Sequence, residues 1–221
     1  MGIFSILNSG LPFTEMLLFF VAWIIAVVVA ICAHEFSHAV VAVKMGDLTP
    51  KMAGRLTLNP FAHFDALGFI FMLLLGFGWA KPVPIQSRNF RNIKKGEIWV
   101  SLAGILTNLA LCVIFSFFCA LVIGLFNIEL TIWLFIARVF MFSAFINFAL
   151  AIFNLIPIPP LDGFNFISAL CRYENKFIQF VRQNSLILML IVLMLIMFTD
   201  IMGIFVDLVV GNLIALFTMI F

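Results

Sequence analysis

Residues 16–33, MLLFFVAWIIAVVVAICA, form an unbroken apolar run of eighteen, and His34-Glu35-Phe36-Ser37-His38 follows it directly. A run of that length is enough to cross the hydrocarbon of a bilayer as a helix. HEFSH is an H-E-x-x-H pattern, which on a helix places two imidazoles on one face beside a carboxylate. At 100° and 1.5 Å per residue, His34 and His38 lie about 40° and roughly 6 Å apart, close enough to share one tetrahedral ion. Glu35 flanks the same face, where it can take a proton from a metal-bound water without ligating the metal. A histidine pair on a helix can also be a hydrogen-bonded core feature. Inside an apolar helix that alternative is costly, because each ionisable group must be desolvated, so such groups are by default functional. Lys44 is the first charge after the motif, which puts the two rings about 9 and 15 Å below it along the helix.

The whole chain agrees with a membrane setting. With 65% hydrophobic residues, 10% charged, 29 phenylalanines and one tyrosine in 221 residues, it cannot bury its apolar surface in a soluble fold. No basic segment precedes the first apolar run, so a cleaved signal peptide is not expected. The net charge of +2 is less telling than its layout: eight of the twelve Lys and Arg fall between Lys44 and Lys95, and Arg172, Lys176 and Arg182 form a second group. Both groups should face the cytoplasm. Nothing in this layout points to nucleic acid. Cys32, Cys112, Cys119 and Cys171 show no paired spacing and read as small buried hydrophobes, not ligands.

Residues 13–43, 98–128, 130–154 and about 186–198 with its flanks are long enough to cross about 30 Å of hydrocarbon, the last the shortest. We expect an all-α polytopic membrane protein with about four to six transmembrane helices. Residues 65–81 are apolar but short for an upright span, and Lys81-Pro82-Val83-Pro84 after them cannot continue a helix. This stretch reads as a re-entrant or short β-hairpin-like segment near the active site, with a tilted crossing as the alternative. No repeat or appended soluble domain is visible, so residues 1–221 read as a single membrane-embedded domain, with a catalytic core over about 13–163 and C-terminal helices over about 184–221.

A catalytic zinc takes three protein ligands and an open position, so a partner for the two histidines is needed. His63, in Asn59-Pro60-Phe61-Ala62-His63, reads as a loop or supporting residue. Asp162 closes Asn154-Leu155-Ile156-Pro157-Ile158-Pro159-Pro160-Leu161-Asp162-Gly163, where prolines break a helix at the depth assigned to His34 and His38. Taken alone, that aspartate reads as the cap of the next helix. Taken with HEFSH at matching depth, it is the candidate third ligand.

The pair of motifs, H-E-x-x-H on one helix and N-x-x-P-x-P-x-L-D-G on a later one, resembles the site-2 protease family of intramembrane zinc metalloproteases. The resemblance implies Zn2+ held by His34, His38 and Asp162, Glu35 as general base, and Asn154 holding substrate or a developing oxyanion. Gly76-Phe77-Gly78-Trp79-Ala80-Lys81-Pro82-Val83 is similar to the family's G-x-G segment, which implies substrate contact at Gly76 and Gly78. Two departures stand out. Ala103-Gly104-Ile105-Leu106-Thr107-Asn108 has Ile105 where proline is usual, and Phe164 stands where a second glycine often follows L-D-G. Neither touches a ligand or the base. With no PDZ-like module, the likeness is to small, core-only members. The implied activity is hydrolysis of peptide bonds in or near transmembrane segments of membrane-protein substrates, in the plasma membrane of a prokaryote, with the site toward the cytoplasm. Two other classes stay open: a non-catalytic zinc-binding membrane protein, for which Glu35 has no use, and a metal transporter, for which Arg138 is the main other intramembrane charge. An oxygenase built on many histidines fails on the count of three.

Overall fold

A computed structural model describes residues 10, 12–75, 78–171 and 175–221. Helix α1, Phe13–Met45, carries the apolar run and HEFSH on one continuous rod. It ends at Gly46, whose φ of 115° lets its N–H turn back onto the Ala42 and Val43 carbonyls, a conformation that L side chains rarely adopt. After two single helical turns, Thr49–Met52 and Pro60–His63, comes the short α2, Ala66–Leu75. Asp65 starts α2 by accepting from the Gly68 N–H at 2.9 Å. The long helices α3, Ile93–Leu125, and α4, Thr131–Leu155, form an antiparallel pair. Asn92 caps α3 by accepting from the Lys95 N–H. At the same end of the pair, Ile156 turns extended before Pro157 and ends α4. The remainder is α5, Asp162–Leu170, α6, Lys176–Gln183, α7, Ser185–Phe198, and α8, Ile201–Thr218, which is interrupted by a π turn at Asp207–Gly211.

Among the described residues four helices, α1, α3, α4 and α8, are long and apolar enough to cross a membrane, and the bent pair α6–α7 makes a fifth if counted as one span. The protein is therefore an all-α polytopic membrane protein. At 14 residues α7 is too short to cross upright, and it meets α6 at a bend of 72°. The stretch expected to be re-entrant returns to where it started. Phe64 pairs with Ala80 in an isolated antiparallel bridge, and the Lys81 N–H donates to the His63 carbonyl at 2.8 Å. Its basic flanks thus stay on one side of the bundle. Arg138 is ion-paired with Glu15 at 2.9 Å, joining the N-terminal part of α4 to the first turn of α1.

The helices meet through rows of small residues. Along α1 every fourth position is buried: Ala22, Ala26, Ala30, His34, His38 and Ala42. Along α3 the matching row is Val100, Gly104, Asn108, Cys112, Ser116 and Ala120. Such i±4 ridges of small side chains let backbones approach closely, and in lipid, where apolar contact alone does not drive association, close packing is what holds helices together. The opposite face of α1 exposes Phe13, Leu17, Val21 and Ile25, as expected of a surface solvated by acyl chains.

Candidate metal centre

His34 and His38 fall within the buried row of α1 and are each 6% exposed. Their ring orientations are set by α3. The Nδ1 of His38 lies 2.8 Å from the Val100 carbonyl, which can only accept, so that nitrogen carries the proton. The Nδ1 of His34 lies 3.0 Å from Asn108 Oδ1 and is protonated in the same way. Both Nε2 lone pairs are thereby aimed at the same point. The Nε2 atoms are 3.1 Å apart, and Asp162 Oδ2 lies 3.3 Å from that of His34 and 3.2 Å from that of His38.

Three acceptor atoms facing one another without a proton between them repel unless a cation lies among them. Asp162 Oδ2 is buried and has no hydrogen-bond partner, as an atom reserved for an ion should be. The edges of a tetrahedron with metal–ligand bonds of about 2.0–2.1 Å are about 3.3–3.4 Å, close to the three separations found. Among the described residues, His34, His38 and Asp162 are the one group of three or more His, Cys, Asp or Glu side chains whose ligand atoms converge. The donor set, two imidazoles and a carboxylate, suits Zn2+ and leaves a fourth position open. Gly104 makes the approach of α3 possible, since a Cβ there would sit 2.6 Å from His38 Nε2 and closer still to the His34 ring.

Asp162 is brought in by the broken end of α4. The helix cap is Leu161, and the Asp162 side chain makes no capping bond, which removes the reading of this aspartate as a simple cap. Glu35 is outside the ligand group, half-buried, and accepts from the Val83 N–H at 3.2 Å. Asn154 is also half-buried, with its amide donating to Leu150 O at 3.0 Å on its own helix. Gly78 lines an apolar cavity of about 370 Å3 with Val27, Ile31 and Phe153, between α1 and α4. Gly76 lies outside the described residues. His63 is fully buried, but its Nε2 is bound to Thr57 O at 2.7 Å, and it is not in the ligand group. Sequence reasoning missed Val100, Gly104 and Asn108 as supports of the imidazoles. The available signals were their four-residue spacing, which repeats that of His34 and His38, and the place of Gly104 and Asn108 in the 103–108 motif.

Comparison with known proteins gives an independent line. A model of peptidase family M50 matches residues 120–198, a stretch that holds Asn154 and Asp162. The chain is 41% identical over 149 residues to the "Putative zinc metalloprotease YwhC" of Bacillus subtilis, covering 66% of this chain and 68% of that protein. It is 32% identical over 162 residues to the "Putative zinc metalloprotease Rip2" of Mycobacterium tuberculosis, covering 71% of this chain and 60% of that one. A Rip2 of Mycolicibacterium smegmatis is 31% identical over 145 residues, and this chain spans 51% of its length. No solved structure matches. With the two motifs, the converging ligand atoms and these relatives together, the chain belongs to peptidase family M50, the site-2 protease family.

Proposed function

We propose that this protein is an intramembrane zinc metalloendopeptidase that cleaves peptide bonds within or beside transmembrane segments of other membrane proteins, as in regulated intramembrane proteolysis. His34, His38 and Asp162 hold the ion. The observation that carries this reading is the meeting of Asp162 Oδ2 with both Nε2 atoms at 3.2–3.3 Å, across 124 and more residues of sequence. Zinc, when bound, supplies a Lewis acid for the peptide carbonyl and an acidified water. Glu35, next to the first ligand and free of the ion, takes the proton of the attacking water and returns it to the leaving amine. Asn154 serves as a donor to the substrate carbonyl once it turns from Leu150. Gly76 and Gly78 contact the unwound substrate, and the apolar cavity beside Gly78 supports an apolar partner there.

The unit is a single membrane-embedded domain, with its catalytic core over about 13–163 and helices over about 184–221 beside it. The bacterial sources of the relatives support a prokaryotic plasma membrane, and the basic flanks of the returning stretch support a site toward the cytoplasm. The pairing of Arg138 with Glu15 removes the main charge on which a transport path could be built. The test is Glu35→Gln in purified enzyme with a single-span substrate. Cleavage should fall below detection while zinc content stays near that of the wild type; a variant with full turnover would remove Glu35 from the chemistry.

A further inference from the structure

Five histidine, acidic or basic residues among those described are buried: His34, His38, Asp47, Arg55 and His63. The first two belong to the metal centre. The other three lie along the connection between α1 and α2, and each bonds to one short extended strap, residues 81–86. Arg55 donates from Nη1 to the Lys81 carbonyl at 3.0 Å and also to the Ala62 carbonyl. His63, held through its ring by Thr57, accepts the Lys81 N–H on its own carbonyl at 2.8 Å. Asp47 accepts the Gln86 N–H at 2.7 Å and Asn89 Nδ2 at 2.8 Å. The strap is therefore clamped at both ends by groups that are costly to bury and that serve no bond to the metal ligands.

Between the clamps the sequence is Pro82-Val83-Pro84-Ile85. Proline has no N–H, so this stretch offers two backbone donors, Val83 and Ile85, and that of Val83 points at Glu35 Oε2 at 3.2 Å. Val83 itself is 8% exposed. We propose that the strap exists to position the general base: the Val83 N–H fixes one carboxylate oxygen of Glu35 and leaves the other to face the reacting water. Val83 acts here through its main chain, and Arg55, His63 and Asp47 act through the strap. The flanking prolines add stiffness and remove the donors on either side of Val83. This inference rests on Glu35 being the base.

The test replaces the Val83 N–H with an ester oxygen by incorporating 2-hydroxyisovaleric acid at position 83 of the full-length enzyme. Val83→Ala serves as the control that keeps the N–H. A bond from N–H to a carboxylate that sets reactive geometry is worth roughly 10- to 100-fold in rate. The ester enzyme should therefore lose that factor in kcat at unchanged KM and unchanged zinc affinity, and Val83→Ala should lose far less. Amide exchange at Val83 gives a readout independent of turnover: in Glu35→Leu it should speed up, because the acceptor is gone. Wild-type kcat in the ester enzyme would overturn the proposal, as would kcat, KM and zinc affinity falling together. Unchanged exchange at Val83 in Glu35→Leu would overturn it too. Failure of the base assignment itself reads out separately, as full turnover in Glu35→Gln.

Discussion

His34 and His38 sit inside a 33-residue helix, with both rings bonded by a neighbouring helix. Asp162 is the first residue of a nine-residue helix after a proline-broken turn, and its Oδ2 has no donor. The imidazoles are thus oriented by the fold whether or not an ion is present, while the carboxylate is placed by the backbone and gains its partner only with the ion. The α1–α3 interface therefore stabilises the fold and the site together. The Asp162 turn serves the site alone.

The largest expected effect separates the two halves. Asp162→Ala and His38→Ala should both abolish turnover and sharply weaken zinc binding. In metal-free protein they should differ. Removing His38 leaves the buried Val100 carbonyl without its ring donor, at a cost of about 1–3 kcal/mol, whereas Asp162→Ala removes a group with no bond to lose. Thermal melts of the two variants in chelator decide this, and equal destabilisation would erase the distinction drawn here. A smaller effect is expected for Asn108→Ala, which frees the His34 ring without touching a ligand. Zinc affinity, measured by chelator competition, should fall roughly 10- to 100-fold, and no change would mean that the ring is held by α1 alone.

The smallest effect lies outside the bundle, at Asp47. Burial alone would raise its carboxyl, but donors from Asn89, the Gln86 N–H and Thr49 outweigh this and hold it below the ordinary value. A depressed folded pKa gives stability that is complete above the unfolded value, about 3.9, and is lost as pH falls through the folded value. Asp47→Asn should therefore melt lower than wild type near neutral pH, with the gap closing under acid. A gap independent of pH would show that the charge plays no part.

Much of this was legible in the chain, and the reasons are local. Helical spacing put His34 and His38 on one face, and an unbroken apolar run put that face in the membrane. Prolines 157, 159 and 160 marked where α4 must stop, which placed Asp162 at the right depth. The returning stretch over residues 64–80 followed from its length and its basic flanks. What could not be read depends on which helix lies against which. Val100 contributes only a carbonyl, so its side chain carries no signal. Gly104 and Asn108 look like ordinary small residues of a packed helix until α1 is set beside them. His63 looked like a loop or supporting residue and Arg55 drew no reading, and their burial beside the strap at 81–86 arises only when the chain folds back. The shortness of α7 was legible, but its bend against α6 was hidden, since an apolar run gives hydropathy but not direction.

The claim that two imidazoles and one carboxylate cage a single zinc is tested most directly by X-ray absorption at the zinc edge on the purified protein, wild type against Asp162→Ala. The account predicts two imidazole nitrogens at about 2.0–2.1 Å with oxygen at about 2.0–2.2 Å and no sulfur, and a changed, weakened site in the variant. A sulfur shell at about 2.3 Å, or a variant with the wild-type spectrum and affinity, would contradict it.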